Sequence, residues 1–206
     1  MIGVIDYDLG NIKSVTSALE KIGFKYIFLS NPNDFKKVNK LILPGVGAFS
    51  KGIQNLKKKK LDIAIKNDVI NNKKPLLGIC LGMQLLADES EEHGRHKGLG
   101  LIEGKVVKIN SNNYDITIPH VGWNQINQNT KSNIFNNIPN NTDFYFVHSY
   151  HFLVKNKKHV IGKTDYKINI NSVINKNNIY GIQPHPEKSQ YFGLCLIKNF
   201  LSKKII

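Results

Sequence analysis

The stretch Pro75-Leu76-Leu77-Gly78-Ile79-Cys80-Leu81-Gly82-Met83-Gln84 decides how the chain is read. Its first half is a short apolar run of strand length, its second half is a helical start, and a thiol stands at the junction. An uninterrupted apolar strand is buried on both faces, which is the habit of parallel sheets. Working outward toward the N-terminus, strand and helix alternate. Ile2–Asp6 reads as a strand. Asn11 can cap a helix with apolar positions Ile12, Val15, Leu19 and Ile22 and Gly23 as its stop. Tyr26–Leu29 and Leu41–Leu43 read as further strands, the second ended by Pro44-Gly45-Val46-Gly47. Residues 49–72 read as helix in two pieces, and the helix after Cys80 is expected to reach about Asp88.

Toward the C-terminus the pattern changes to short strands separated by Asn, Gly and Pro turns. These are Gly104–Ile109, Ile116–Ile118, Phe144–Val147, His151–Lys155, Val160–Thr164, Ser172–Ile174 and Ile179–Ile182. Gln190–Leu201 returns to helix, with Phe192, Cys195, Leu196 and Phe200 expected inward. The expected fold is α/β: an open, mostly parallel sheet flanked by helices, with additional antiparallel strands in the second half. No long linker divides the chain, so residues 1–206 are expected to form one domain.

Composition narrows the function classes. The chain has 206 residues and is 41% hydrophobic, enough for one ordinary core. No apolar run approaches the roughly 18 residues that span a bilayer. The N-terminal run, interrupted by Asp6 and Asp8, reads as a buried strand and not a targeting segment. Two cysteines make no disulfide framework, so a reducing cytoplasm is the expected location. A net charge of +14 would suit nucleic acid. Yet Arg95 is the only arginine, so the residue best suited to bidentate phosphate and guanine contacts is nearly absent. Lys57–Lys60 reads as a solvated helix face, and neither nucleic acid nor membrane is expected as a partner.

The chemistry-bearing residues are Cys80 and, far downstream, His185 and Glu187 in Gln183-Pro184-His185-Pro186-Glu187-Lys188-Ser189. A strand–turn–helix junction puts Cys80 at the carboxyl edge of the sheet, where open α/β folds place their sites. Gly78 and Gly82 leave room for a crowded turn of the nucleophile-elbow type. Residues two apart in an extended segment point the same way, so Glu187 can orient His185 as a base for the thiol. The loop Pro44-Gly45-Val46-Gly47-Ala48-Phe49 and the Leu81 N–H can offer donors to an oxyanion. Together these suggest acyl transfer through a cysteine thioester. Taken singly, a buried structural cysteine, a His-Pro turn with a solvated glutamate and an ordinary glycine turn are the competing readings. Cys195 sits on a plain amphipathic helix and is assigned to the core.

These pieces resemble the class I (triad) glutamine amidotransferases, and among them the glutaminase subunits that work beside a cyclase in histidine biosynthesis. The resemblance spans nearly the whole chain. It includes Ile5-Asp6-Tyr7, Gly10-Asn11, the 44–49 loop, Gly78–Gln84 and Gly98-Leu99-Gly100-Leu101-Ile102. It continues through Pro119-His120-Val121-Gly122-Trp123-Asn124, Phe146-Val147-His148-Ser149-Tyr150 and His185–Ser189. It implies Cys80, His185 and Glu187 as the catalytic triad, and oxyanion donors from Gly45, Val46 and Leu81. It implies glutamine binding by Gly47, Gln84, Glu92, Ser149 and Tyr150, with Gln84 and Glu92 at the α-amino end and the Ser149–Tyr150 backbone at the carboxylate. Asn11, Trp123, Tyr145 and Lys188 would face the partner, a (β/α)8-barrel cyclase subunit in a heterodimer that receives the ammonia. No cofactor or metal is implied. Two positions depart from the family pattern: Asp8 replaces a usual glycine, and Pro184 a usual phenylalanine. Either fits an alternative in which a paralogous glutaminase feeds a related barrel that amidates or amidinates a surface sugar.

Overall fold

The apolar runs become strands β1 (Ile2–Ile5), β2 (Tyr26–Leu29), β3 (Lys40–Leu43), β4 (Leu76–Ile79) and β13 (Ile179–Ile182), all mutually parallel in a computed structural model that describes residues 1–110 and 116–202. The remaining strands are β5 (Glu89–Ser90), β6 (His96–Lys97), β7 (Gly104–Lys108), β8 (His120–Gln128), β9 (Thr142–His148), β10 (Tyr150–Val154), β11 (Val160–Asp165) and β12 (Asn169–Lys176). A nine-stranded sheet runs β2-β1-β3-β4-β13-β12-β11-β8-β9; its second part, from β13 to β9, pairs antiparallel. A smaller sheet runs β10-β7-β5-β6.

Helices α1 (Ile12–Lys21), α2 (Phe49–Lys58), α3 (Leu61–Lys66), α4 (Leu81–Gln84) and α5 (Gln190–Ser202) complete the fold, α3 running on through a π turn at Asn67–Asn71. Alternate residues of the parallel strands serve opposite faces. Leu41, Leu43 and Leu76 join the core with α2 and α3, while Ile42, Leu77 and Ile79 join the one with α1 and α5. That two-sided burial is why β1, β3 and β4 carry no polar alternation, each large side chain contributing about 1.5–3 kcal/mol. On α5, Leu196 and Phe200 are buried as expected, and Phe192 and Cys195 pack half-buried against the same core.

Three expectations are corrected. The helix after Cys80 ends at Gln84 and does not reach Asp88. The N–H groups of Leu86 and Ala87 tighten onto Met83 O and Gln84 O, and the carbonyls of Leu85, Leu86, Ala87 and Asp88 accept N–H groups of Leu99, Leu101, Gly100 and Gly98. Residues 116–118 form no strand; the strand begins at His120. It escapes a periodicity reading because Val121 and Trp123 face outward, 55% and 49% exposed, while His120 turns inward. Glu187 lies in a 3₁₀ turn, Pro186–Lys188, and not in the extended segment expected for it. No helix among the described residues is long and apolar enough to cross a membrane.

Candidate active site

Three neighbouring parallel strands bring the site together. β4 lies between β3 and β13, with Leu43 beside Gly78 and Ile182 beside Ile79. Whatever follows each strand therefore emerges at one carboxyl edge: the 44–47 loop after β3, Cys80 after β4, and Gln183 to Glu187 after β13. Cys80 takes φ 53° and ψ −109°, a conformation a side chain seldom adopts, and its N–H donates to Ile182 O at 2.7 Å. The turn closes only because its neighbours lack side chains. A Cβ on Gly82 would stand 1.7 Å from Leu43 O, and one on Gly78 2.6 Å from Gly82 O.

His185 is buried and anchored by its backbone: its N–H donates to Tyr145 O at 2.8 Å, and its carbonyl accepts the Ser189 hydroxyl at 2.7 Å. Glu187 does not share an extended face with it. Pro186 opens a 3₁₀ turn, Pro186–Lys188, closed by Lys188 N–H on His185 O, and the turn swings the carboxylate back onto the ring. His185 Nδ1 and Glu187 Oε1 meet at 2.7 Å with both side chains 2% exposed. Pro184 is buried and leaves these anchors intact.

The other ring nitrogen, His185 Nε2, is buried with no hydrogen-bond partner of ordinary geometry; its reactive neighbour is Cys80. Burial disfavours the charged imidazole, but contact with Cys80 and the bond to Glu187 outweigh it and push the pKa up to about 10. A raised native value adds stability that is complete below the ordinary value of about 6.5 and is lost as pH climbs toward about 10. In Glu187→Gln the titration moves down toward 6.5, so the urea midpoint falls less steeply with pH across that window than in the parent chain; equal slopes would contradict the assignment.

The cleft beside Cys80 and His185 holds about 610 Å³ and is bordered by Val46, Gly47, Cys80, Leu81 and His185. Gln84, Glu92, Ser149 and Tyr150 border it from the other side, with His93, Lys108 and His148, which were not singled out in the sequence. Gly45 does not border it; it packs beneath, where a Cβ would meet Tyr7 Oη at 2.3 Å and Leu81 Cβ at 2.9 Å. Gln84 donates Nε2 to Tyr150 O at 2.9 Å and to Gln183 Oε1 at 3.1 Å, leaving its carbonyl as the remaining acceptor. Glu92 Oε2 accepts the Phe49 N–H at 2.7 Å, stabilising the start of α2, where Ala48 has no side chain to cap with.

Tyr7 was missed as a site residue, though it lies in a stretch quoted for the family resemblance. Fully buried, it donates its hydroxyl to Pro44 O at 2.7 Å and so fixes the peptide leading into the loop. Burial and the nearby Cys80 raise its pKa far above the ordinary value, which keeps it a neutral donor. Tyr7→Phe loosens the loop without opening a cavity. We expect turnover with glutamine to fall about tenfold, with about 1 kcal/mol lost in denaturant unfolding; unchanged turnover would assign Tyr7 to packing alone.

Three of the four residues expected at a docking face, Trp123, Tyr145 and Lys188, lie side by side. Trp123 and Tyr145 pair across β8 and β9, their rings 6.0 Å apart, and Lys188 Nζ lies 5.8 Å from the Tyr145 ring centre. Asn11 caps α1 through its side chain on Ser14 N, and Lys13 and Ser14 share a groove of about 310 Å³ with Glu187 and Gln190. Asp8 adopts φ 60°, a conformation glycine takes freely, and pairs with Lys59 at 2.7 Å.

The family profile "Glutamine amidotransferase class-I" matches residues 3–203. The chain belongs to this family. It is thereby a glutamine amidotransferase, and its fold agrees with that assignment. Among curated relatives, it is 46% identical to Imidazole glycerol phosphate synthase subunit HisH 2 of Methanococcus maripaludis, covering 98% of this chain and 100% of the relative. It is also 46% identical to subunit HisH of Sulfurimonas denitrificans, over 97% of each chain. Among solved structures, the one titled "Structure of PurLQS from Thermotoga maritima" superposes with a TM-score of 0.76 over 98% of this chain and 97% of that one, at 19% identity. That likeness supports the fold of this amidotransferase and nothing narrower.

Proposed function

We propose that this amidotransferase is the glutaminase subunit of an imidazole glycerol phosphate synthase and passes its ammonia to a (β/α)8-barrel cyclase subunit docked on the β8–β9 face. With His185 holding the proton, the Cys80 sulfur adds to the side-chain amide carbon of glutamine. Val46 and Leu81 supply N–H donors to the oxyanion, the latter from the first turn of α4, where N–H groups have no helical partner. The imidazolium returns its proton to the leaving nitrogen, the C–N bond breaks, and ammonia departs from a thioester. Water then attacks with neutral His185 as base, releasing glutamate and restoring the starting Cys80–His185 pair. Glu187 holds the ring throughout. Gln84 and Glu92 offer acceptors to the α-ammonium, and the 149–150 backbone offers donors to the carboxylate. The chemistry uses no cofactor or metal, and the whole chain acts as one amidotransferase domain.

The observation that carries the docking part is Val147. Its carbonyl lies 4.0 Å from Cys80 Sγ, while the residue is 36% exposed on the outer ladder that pairs Val121 with Val147 and Trp123 with Tyr145. The nucleophile is one strand away from an exposed apolar surface, the arrangement that delivery into a partner requires. Trp123→Ala is expected to weaken the barrel subunit's binding about thirtyfold or more by titration calorimetry, with near-normal glutaminase turnover at saturating partner. An unchanged dissociation constant would move the docking face elsewhere. The pathway assignment is tested by complementing a histidine auxotroph that lacks this subunit; failure beside a matched cyclase would favour a different synthase.

A further inference from the structure

Two buried histidines, His120 on β8 and His148 at the end of β9, are unused by the triad chemistry. His120 Nδ1 and His148 Nε2 lie 3.0 Å apart, and His120 stacks between Phe146 and Tyr166 at 4.7 and 3.9 Å. Their hydrogen-bond roles are fixed from both ends. At one end, Asn124 gives Nδ2 to Asp165 O at 3.1 Å and takes the Gln125 N–H on Oδ1 at 2.8 Å, which settles its amide orientation. The same Nδ2 lies 3.3 Å from His120 Nε2, so that nitrogen accepts. His120 Nδ1 then carries hydrogen and donates to His148 Nε2. At the other end, His148 Nδ1 lies 2.9 Å from Tyr150 O, a carbonyl that can only accept, so His148 also carries its hydrogen on Nδ1. Both conditions are met when both rings are neutral Nδ1–H tautomers. Burial lowers the proton affinity of each, to about 4 for His120 and about 3 for His148.

The chain continues to the nucleophile. Tyr150 O also accepts Gln84 Nε2, Gln84 donates to Gln183 Oε1, and Gln183 Nε2 lies 3.8 Å from Cys80 Sγ. A continuous series of hydrogen bonds thus joins the hairpin carrying Trp123 and Tyr145 to the thiol, with Tyr150 O as the shared acceptor of His148 on one side and Gln84 on the other.

We propose that His120 and His148 are positioning residues that hold the 149–150 backbone in register with Cys80 and tie that register to the β8–β9 hairpin. The pair touches no reacting atom. It sets where the α-carboxylate of glutamine sits, and it transmits the set of the hairpin to that place. The second half of this statement rests on the docking reading above; the first does not.

Two measurements on the full chain test the proposal. Histidine ¹⁵N–¹H correlation spectra of the chain alone should show both rings as neutral Nδ1–H tautomers, remaining so well below the ordinary histidine value of about 6.5. An Nε2–H tautomer on either ring would overturn it. The second measurement is glutaminase kinetics at saturating barrel subunit and nucleotide ligand. His148→Leu should raise KM for glutamine about tenfold with kcat changed less than about threefold, because the missing donor leaves Tyr150 O mis-set. His120→Gln, which keeps a donor toward His148, should restore most of the KM that His120→Leu loses. A folded His148→Leu chain with unchanged KM would sink the proposal, as would equal KM in the two His120 variants. If the barrel subunit does not stimulate the parent chain, the docking reading fails while the tautomer result still decides the pair.

Discussion

Cys80→Ala abolishes glutamine-dependent synthesis by the assembled complex, by roughly 10⁴-fold or more, while synthesis from added ammonium salts persists. The size follows from removing the only atom able to form the thioester: without it, the oxyanion donors and binding groups have no covalent intermediate to stabilise. Persistence with ammonium follows from the substitution's small volume. Cys80 is 7% exposed at a strained turn, and alanine keeps the Cβ that the turn already accommodates. The check is paired assays with glutamine and with an ammonium salt. Glutamine turnover within about tenfold of the parent would place the nucleophile elsewhere, and loss of both activities would mean the substitution had damaged docking.

The second large effect is on folding. Gly82→Ala puts a methyl group 1.7 Å from Leu43 O and 3.3 Å from the Leu43 side chain. The carbonyl belongs to β3, which is hydrogen-bonded on both sides, to β1 and to β4. It cannot retreat without loosening the middle of the parallel sheet. Typical overpacking costs about 1–3 kcal/mol, and a clash with fixed backbone should exceed that, at about 4 kcal/mol or more. Against an ordinary total of about 5–15 kcal/mol, the variant should be largely unfolded or insoluble at 37 °C. Lys51→Ala, at an exposed helical position, is the matched control and should shift stability by less than about 0.5 kcal/mol. A Gly82→Ala chain as stable as the control would mean the elbow is looser than its geometry implies.

Much of this site was legible in residue order because the parallel sheet turns sequence into place. Leu43, Ile79 and Ile182 each end an apolar run, and in register those endings gather Pro44, Cys80 and His185 at one edge. What was hidden depends on contacts between distant segments. Nothing local reveals that the 98–102 loop takes the carbonyls after Gln84 and so shortens α4. Nothing local reveals that Tyr7, thirty-seven residues from Pro44, holds the peptide that leads into the 44–47 loop. β8 was hidden for another reason: it exposes Val121 and Trp123 while burying His120, inverting the usual pattern. That inversion fits a surface meant to be covered and an interior polar pair meant to be satisfied. The Pro186 turn was misread as extended because a His-Pro-Glu sequence fits either geometry, and only the hydrogen bonds of Lys188 and Ser189 choose between them.

A glutaminase whose ammonia passes to a barrel subunit docked on the β8–β9 face should couple glutamine cleavage at Cys80 to that docking. This coupling is tested most directly by measuring ammonia release from glutamine by the chain alone, with the (β/α)8 cyclase subunit, and with that subunit plus its nucleotide ligand. Release by the chain alone should be slow, and the full assembly should be stimulated by about tenfold to a hundredfold or more, an activity abolished by Cys80→Ala. Full activity in the isolated chain, or no glutaminase activity in any of the three conditions, would contradict the coupling.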